Sequence, residues 1–141
     1  DKGEFIISIT ACIVNKQGKI LMTQRKLDKV KGRMWEPTTG LVISGESSKQ
    51  GALRELKEEI GIELEENDIS LIKEIIEERE NLSFFRDIYL VNKEISLENI
   101  KFSDGEVIDA KYVTINEFNN MIKNGETHEW LEYFNELYKK I

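Results

Sequence analysis

The sequence holds one cysteine, one proline and one histidine among 141 residues, and aromatic residues make up only 9% of it. A lone cysteine, Cys12, excludes an internal disulfide. Set among apolar β-prone neighbours, it reads as a buried thiol of a reducing compartment, not as a nucleophile. With a single imidazole, His128, histidine-based metal or nucleophile schemes are poor candidates, and no role is assigned to that residue. No apolar run approaches the roughly 20 residues of a membrane span, and no secretion signal opens the sequence, so the expected location is the cytoplasm. Positive charge is also short. Twenty Lys and Arg face 27 Asp and Glu, a net charge of −7, which argues against binding to nucleic acid or anionic membrane. If the ligand is itself a phosphate anion, a cation has to mediate.

What is present reads as one α/β domain over residues 1–141. Residues 4–14 are apolar and β-branched on both alternating faces, a central strand. The turn Asn15-Lys16-Gln17-Gly18 and a second strand over 19–25 suggest a hairpin with it. A basic loop, 26–34, precedes Trp35-Glu36-Pro37, and residues 38–44 are β-prone around Gly40. Strands are expected over 69–77, 84–91 and 107–113, and Thr114 with Glu117 has capping-box spacing for a short helix. Thr127 is placed to cap a closing helix whose apolar stripe is Trp130, Leu131, Phe134, Leu137, Tyr138 and Ile141.

The most informative stretch is residues 40–62, GLVISGESSKQGALRELKEEIGI. Ser47 and Gln50 form a capping box, Gly61 is a natural stop, and Ala52, Leu53, Leu56 and Ile60 line one side of the helix between them. At 100° per residue Glu58, Glu55 and Glu59 fall at about −60°, 0° and +40°, a single arc beside that stripe. Acids so close repel one another by a few tenths of a kcal/mol per exposed pair. A solvated face tolerates this; so does a cation held among them. Gly51 lies on the same arc, where it either clears an approaching loop or is merely tolerated at about 1 kcal/mol against Ala.

The spacing around the acids decides between these. Gly40, Glu46, Arg54-Glu55-Leu56, Glu58-Glu59 and Gly61-Ile62 match the signature of the Nudix hydrolases at every specified position, a coincidence on the order of one in a billion at a given start. The resemblance implies a Nudix-like α/β/α sandwich with a mixed β-sheet and a metal-holding loop and helix. It implies a Mg²⁺- or Mn²⁺-dependent pyrophosphohydrolase that cleaves a nucleoside diphosphate linked to another moiety, by water attack at phosphorus. On the matching positions, Glu55, Glu58 and Glu59 are the implied metal ligands, with the Gly40 carbonyl. Arg54 orients a neighbouring glutamate, and Glu46 pairs with it. Glu106, ahead of a late strand, sits where the family often supplies a further acid. Glu58 or Glu106 is the candidate base for water. Hard divalent cations want such oxygen donors, and a diphosphate adds its own.

Outside the signature, Arg25 and Arg33 are candidates to meet phosphates, and Trp35 to stack on a base, although a tryptophan in such a stretch is more often core. The expected partner is a small nucleotide derivative, with no nucleic acid and no membrane; a homodimer is one open assembly. Isopentenyl diphosphate isomerase looks similar in fold but draws on a cysteine and histidines that this sequence does not place near the signature. A non-catalytic binding module would usually have lost the acids, and none is lost. A P-loop phosphotransferase is disfavoured because no Gly-x-x-x-x-Gly-Lys-Ser/Thr occurs. Thr38-Thr39 stand before Gly40 where many relatives carry a second glycine, and no loop identifies the substrate.

Overall fold

The computed structural model describes residues 4–26 and 33–139. Among the described residues seven strands form two sheets. The first has the order β4-β1-β6-β5, from Thr38–Leu41 (β4), Glu4–Cys12 (β1), Leu82–Val91 (β6) and Ile69–Arg79 (β5). The second has the order β3-β2-β7, from Trp35–Glu36 (β3), Ile20–Arg25 (β2) and Val107–Val113 (β7). β1 and β6 run parallel and every other pair is antiparallel, which makes the first sheet mixed.

The two apolar faces of β1 have different partners. Ile9, Ala11 and Ile13 pack with Leu21, Tyr89 and Val91 under α1 (Ser48–Ile60), which contributes Ala52, Leu56 and Ile60. Cys12 points the other way. With Ile20, Met22 and Ile88 it packs against Phe118 and Met121 of α2 (Ile115–Lys123) and against Leu131, Phe134 and Leu137. The strand period of two thus gives helices on both sides of the sheets, an α/β/α sandwich. Each fully buried side chain such as Leu56 contributes about 2 kcal/mol of transfer free energy.

Two expectations are corrected. β1 and β2 do not form a hairpin ladder; beyond the turn they share the single bridge Val14–Ile20 and then diverge into different sheets. Turn chemistry is local, whereas β2 finds longer partners in β3 and β7. The closing segment is a 3₁₀ turn, Glu129–Tyr133, running into the short α3 (Phe134–Tyr138), not one helix from Thr127. Thr127 is buried, and His128 precedes the turn without a side-chain cap. Ile141 and residues 27–32 of the basic loop lie outside the described residues.

Pro37 is the crossing point between sheets. The residues before it pair with β2 and those after it with β1, so the missing N–H falls where neither ladder needs a donor. A second irregularity, the register shift at Gln24/Arg25 against β7, turns the end of β2. Both sit at the edge of a cleft between the sheets.

Candidate active site

α1 is fixed at both ends by local chemistry. The Ser47 hydroxyl accepts from the Gln50 N–H, and the Gln50 side chain accepts from the Ser47 N–H. Gly61 stops the helix in the left-handed conformation, φ 70°, where a side chain would be strained. Gly51 gives clearance for the approaching loop: a β-carbon there would meet Glu46 Oε1 at 3.0 Å and Val42 Cγ2 at 3.2 Å. The loop therefore sits tightly on the first turns of the helix.

Arg54 ties that loop to the acids. Its guanidinium donates to Glu46 Oε1 at 2.8 Å and to the Leu41 carbonyl at 2.9 Å, while Nη1 reaches Glu55 and Glu58 at 3.2 Å each. A planar fork can hold four oxygens at once, which an ammonium cannot. Arg54 draws the Glu46 carboxyl below the usual carboxylate range, chiefly through their hydrogen bond.

Glu55 and Glu59 face inward. Glu59 is only 6% exposed, and burial, followed by the charges of Glu55, Glu36 and Asp104, pushes its carboxyl up to about 10. Glu55 is also raised by burial, against the pull of Arg54, and accepts a hydrogen bond from Glu59. Glu58 differs: its side chain is 49% exposed and turned to Arg54. Among the described residues, no three carboxylate, imidazole or thiol side chains already stand as a ligand set. Glu55 and Glu59, with Glu58 on the same helix, are the oxygen donors from which a hard divalent cation could be held here.

Glu55 and Glu59, but not Glu58, open onto a cleft of about 550 Å³. Gly40, Glu55, Glu59 and Arg54 form one wall. Ser8, Thr39, Phe84 and Arg86, from the face of the first sheet, line it as well. Arg25, Glu36 and Glu106 are contributed by the second sheet and its approaches. Glu106 is held at the rim by its N–H to Asp104 at 2.9 Å and by its carbonyl, which accepts from Lys26 N–H at 3.0 Å.

Among the candidates outside the signature, Arg25 lines the cleft and two do not. Arg33 is exposed, in a left-handed turn with φ 68°, and its N–H donates to the Arg25 carbonyl at 2.8 Å. Trp35 is 9% exposed and packed in the second core, with Lys111 Nζ 4.3 Å from its ring centroid. It stands in the sheet below the cleft and is not offered to a base. Residues that the sequence did not single out take part instead: Glu36, Phe84 and Arg86 in the lining, and His128 behind Glu36. The alternation of β6 could have marked Phe84 and Arg86 as sharing one face; nothing local marks Glu36 or His128.

Comparison with known proteins identifies the family and the fold. The NUDIX domain model matches residues 4–134. An uncharacterized Nudix hydrolase of Listeria monocytogenes is 31% identical over 94% of this chain and 75% of its own length. The CTP pyrophosphohydrolase of Escherichia coli is 41% identical over a shorter stretch, 41% of this chain and 43% of its own. Among solved structures, the MutT protein of Methanosarcina mazei superposes with a TM-score of 0.77 at 22% identity, covering 99% of this chain and 96% of that one. A Caenorhabditis elegans Ap4A hydrolase shares the fold with a TM-score of 0.63 at 20% identity, covering 96% and 99%. The chain belongs to the Nudix hydrolase family, enzymes that cut phosphorus-containing anhydrides.

Proposed function

We propose that this chain is a divalent-metal-dependent pyrophosphohydrolase of a small nucleoside diphosphate derivative. The observation that carries this reading is the pair of half-buried Glu55, packed against Gly40, and buried Glu59 at the wall of the cleft that Arg25 and Glu106 also line. Glu55, Glu58 and Glu59, with the Gly40 carbonyl, would hold Mg²⁺ or Mn²⁺. When bound, the ion supplies charge neutralisation on the phosphoryl oxygens and draws an anionic substrate to an anionic protein.

The remaining work falls to the chain's own side chains. Arg54 keeps Glu55 and Glu58 beside the Gly40 loop, so little reorganisation is needed on binding. Arg25 offers its guanidinium to a phosphate. Burial opposes its charge, but the hydrogen bond and charge of Glu36, with Glu59 and Glu106 nearby, outweigh that and hold it cationic. Water attacks one phosphorus; the new O–P bond forms as the bridging P–O bond breaks, and the water proton passes to a carboxylate, Glu58 or Glu106. Catalysis of this kind depends on positioning and electrostatics more than on covalent chemistry.

The relation to a CTP pyrophosphohydrolase supports trying nucleoside triphosphates first. Isomerase chemistry finds no thiol here, since Cys12 is wholly buried in the second core and His128 is bonded to Glu36. Among the described residues no helix is long and apolar enough to cross a membrane; with the buried lone thiol, cytoplasmic residence belongs to the same reading. A screen for phosphate or pyrophosphate release over nucleotide derivatives with Mg²⁺ or Mn²⁺ tests the proposal. Release from at least one derivative, abolished by metal chelation, is expected; no release from any of them contradicts it.

A further inference from the structure

We propose that His128 is a positioning residue for phosphate binding, acting through Glu36 on Arg25. The inference rests on the reading of Arg25 as a phosphate contact and assigns a role to a segment well outside the signature in sequence.

The three side chains form a continuous bridge. Glu36 is 6% exposed, so its charge is hidden from water, and each of its oxygens has a partner. Oε1 lies 3.1 Å from His128 Nε2, and Oε2 accepts from Arg25 Nη1 at 3.0 Å. A neutral imidazole with its proton on Nε2, or an imidazolium, can donate that first bond. Arg25 then enters the cleft with one Nη group already spent on Glu36. Its Nε is buried and makes no hydrogen bond among the described residues, a cost that an incoming acceptor would relieve.

Backbone contacts keep both ends of the bridge in place. Trp35 N–H donates to the Glu126 carbonyl at 2.8 Å, tying the strand that carries Glu36 to the segment that carries His128. Arg25 N–H donates to the Met34 carbonyl at 3.0 Å, on the other side of the same strand. The register shift at Gln24/Arg25 turns the Arg25 position relative to β7 just there.

His128 matters because a carboxylate has two oxygens and an arginine has two edges. With His128 on Oε1, Glu36 offers Arg25 one oxygen at one angle. Without it, a buried oxygen loses its donor, and the carboxylate must rotate toward Arg25 or admit water. Either change moves the guanidinium, a group on a long side chain with much rotamer freedom to lose. The variant should still fold, at some cost in stability for the unpaired oxygen, because His128 is not among the core residues around Leu131, Phe134 and Trp35.

The test is the affinity of inorganic pyrophosphate with Mg²⁺, measured by titration calorimetry, since pyrophosphate carries the phosphate contact without any base. R25A should weaken binding about tenfold, the scale of a charge-assisted contact. H128A should weaken it about three- to tenfold, H128Q should restore most of the loss by donating to Oε1, and R25A/H128A should be no weaker than R25A. The ¹⁵N–¹H signal of Arg25 Nε should shift in H128A and return toward its original position in H128Q. Thermal melts confirm that each variant is folded. H128A binding pyrophosphate like the parent while R25A loses it overturns the positioning role alone. R25A binding like the parent overturns the phosphate reading of Arg25 and this inference with it.

Discussion

Glu55 lies across Gly40 so closely that a β-carbon at position 40 would overlap its carboxylate. The backbone of Gly40 is not in the left-handed region, so the glycine is needed for space and not for conformation. The contact joins β4 to α1. G40A should therefore fold, because the Glu55 side chain can swing away, yet lose activity by about a hundredfold, the scale of a displacement near 1 Å at a reacting centre. Circular dichroism and steady-state kinetics on the same preparation check both halves.

Arg54 is the link between loop and acids, and charge alone should not replace it. R54K keeps one positive charge but loses the fork that spans Glu46, Leu41, Glu55 and Glu58. We expect R54K to destabilise the fold by about 1–2 kcal/mol, as for loss of partly buried charge-assisted bonds, and to lower kcat at least tenfold. Urea denaturation and initial rates measure the two effects.

Glu59 is held at a cost in stability. It is nearly buried and faces the charge of Glu55, so an amide of the same shape removes an unfavourable burial. E59Q should raise the melting temperature of metal-free protein by about 2–5 °C, on the scale of 1 kcal/mol for a domain of this size. It should also largely abolish the further rise that Mg²⁺ gives the parent. Differential scanning fluorimetry with and without Mg²⁺ shows both changes.

Cys12 has no part in the chemistry. It is wholly buried between β2 and the α2 side of the sheet, and burial pushes its thiol far above the usual range. A thiol reagent should label it only after denaturation. C12A should cost about 1 kcal/mol of packing and leave kcat within twofold. Rapid labelling of the native protein, or loss of turnover in folded C12A, would bring back thiol-dependent alternatives.

Much of the site could be read from the sequence because it is local. The capping box of Ser47 and Gln50, the stop at Gly61 and the helical arc of Glu55, Glu58 and Glu59 are all determined within a few turns, and the helix bounds follow from them. The rest depends on long-range contacts. Arg25 and Glu36 meet because β2 pairs with β3, and His128 reaches Glu36 from 92 positions away. No residue near His128 signals that meeting, which is why the histidine has no assignable role in the bare sequence. The turn at 15–18 is real, but it does not reveal that β2 will leave the first sheet. The stripe over 130–138 fits a 3₁₀ turn followed by a short helix as well as it fits one long helix, since both bury Leu131, Phe134 and Leu137. Trp35, polar-edged and near the signature, is taken by the core because β3 directs it there.

We propose that the acids of α1 drive the cutting of a nucleotide diphosphate bond. The most direct measurement of this is turnover of a nucleoside triphosphate panel with Mg²⁺ and Mn²⁺ by the parent, E58Q and E59Q, with the products identified by ³¹P NMR. The expected result is a nucleoside monophosphate and pyrophosphate from the parent, with at least a hundredfold loss in both folded variants. Undiminished turnover in E58Q and E59Q would contradict it.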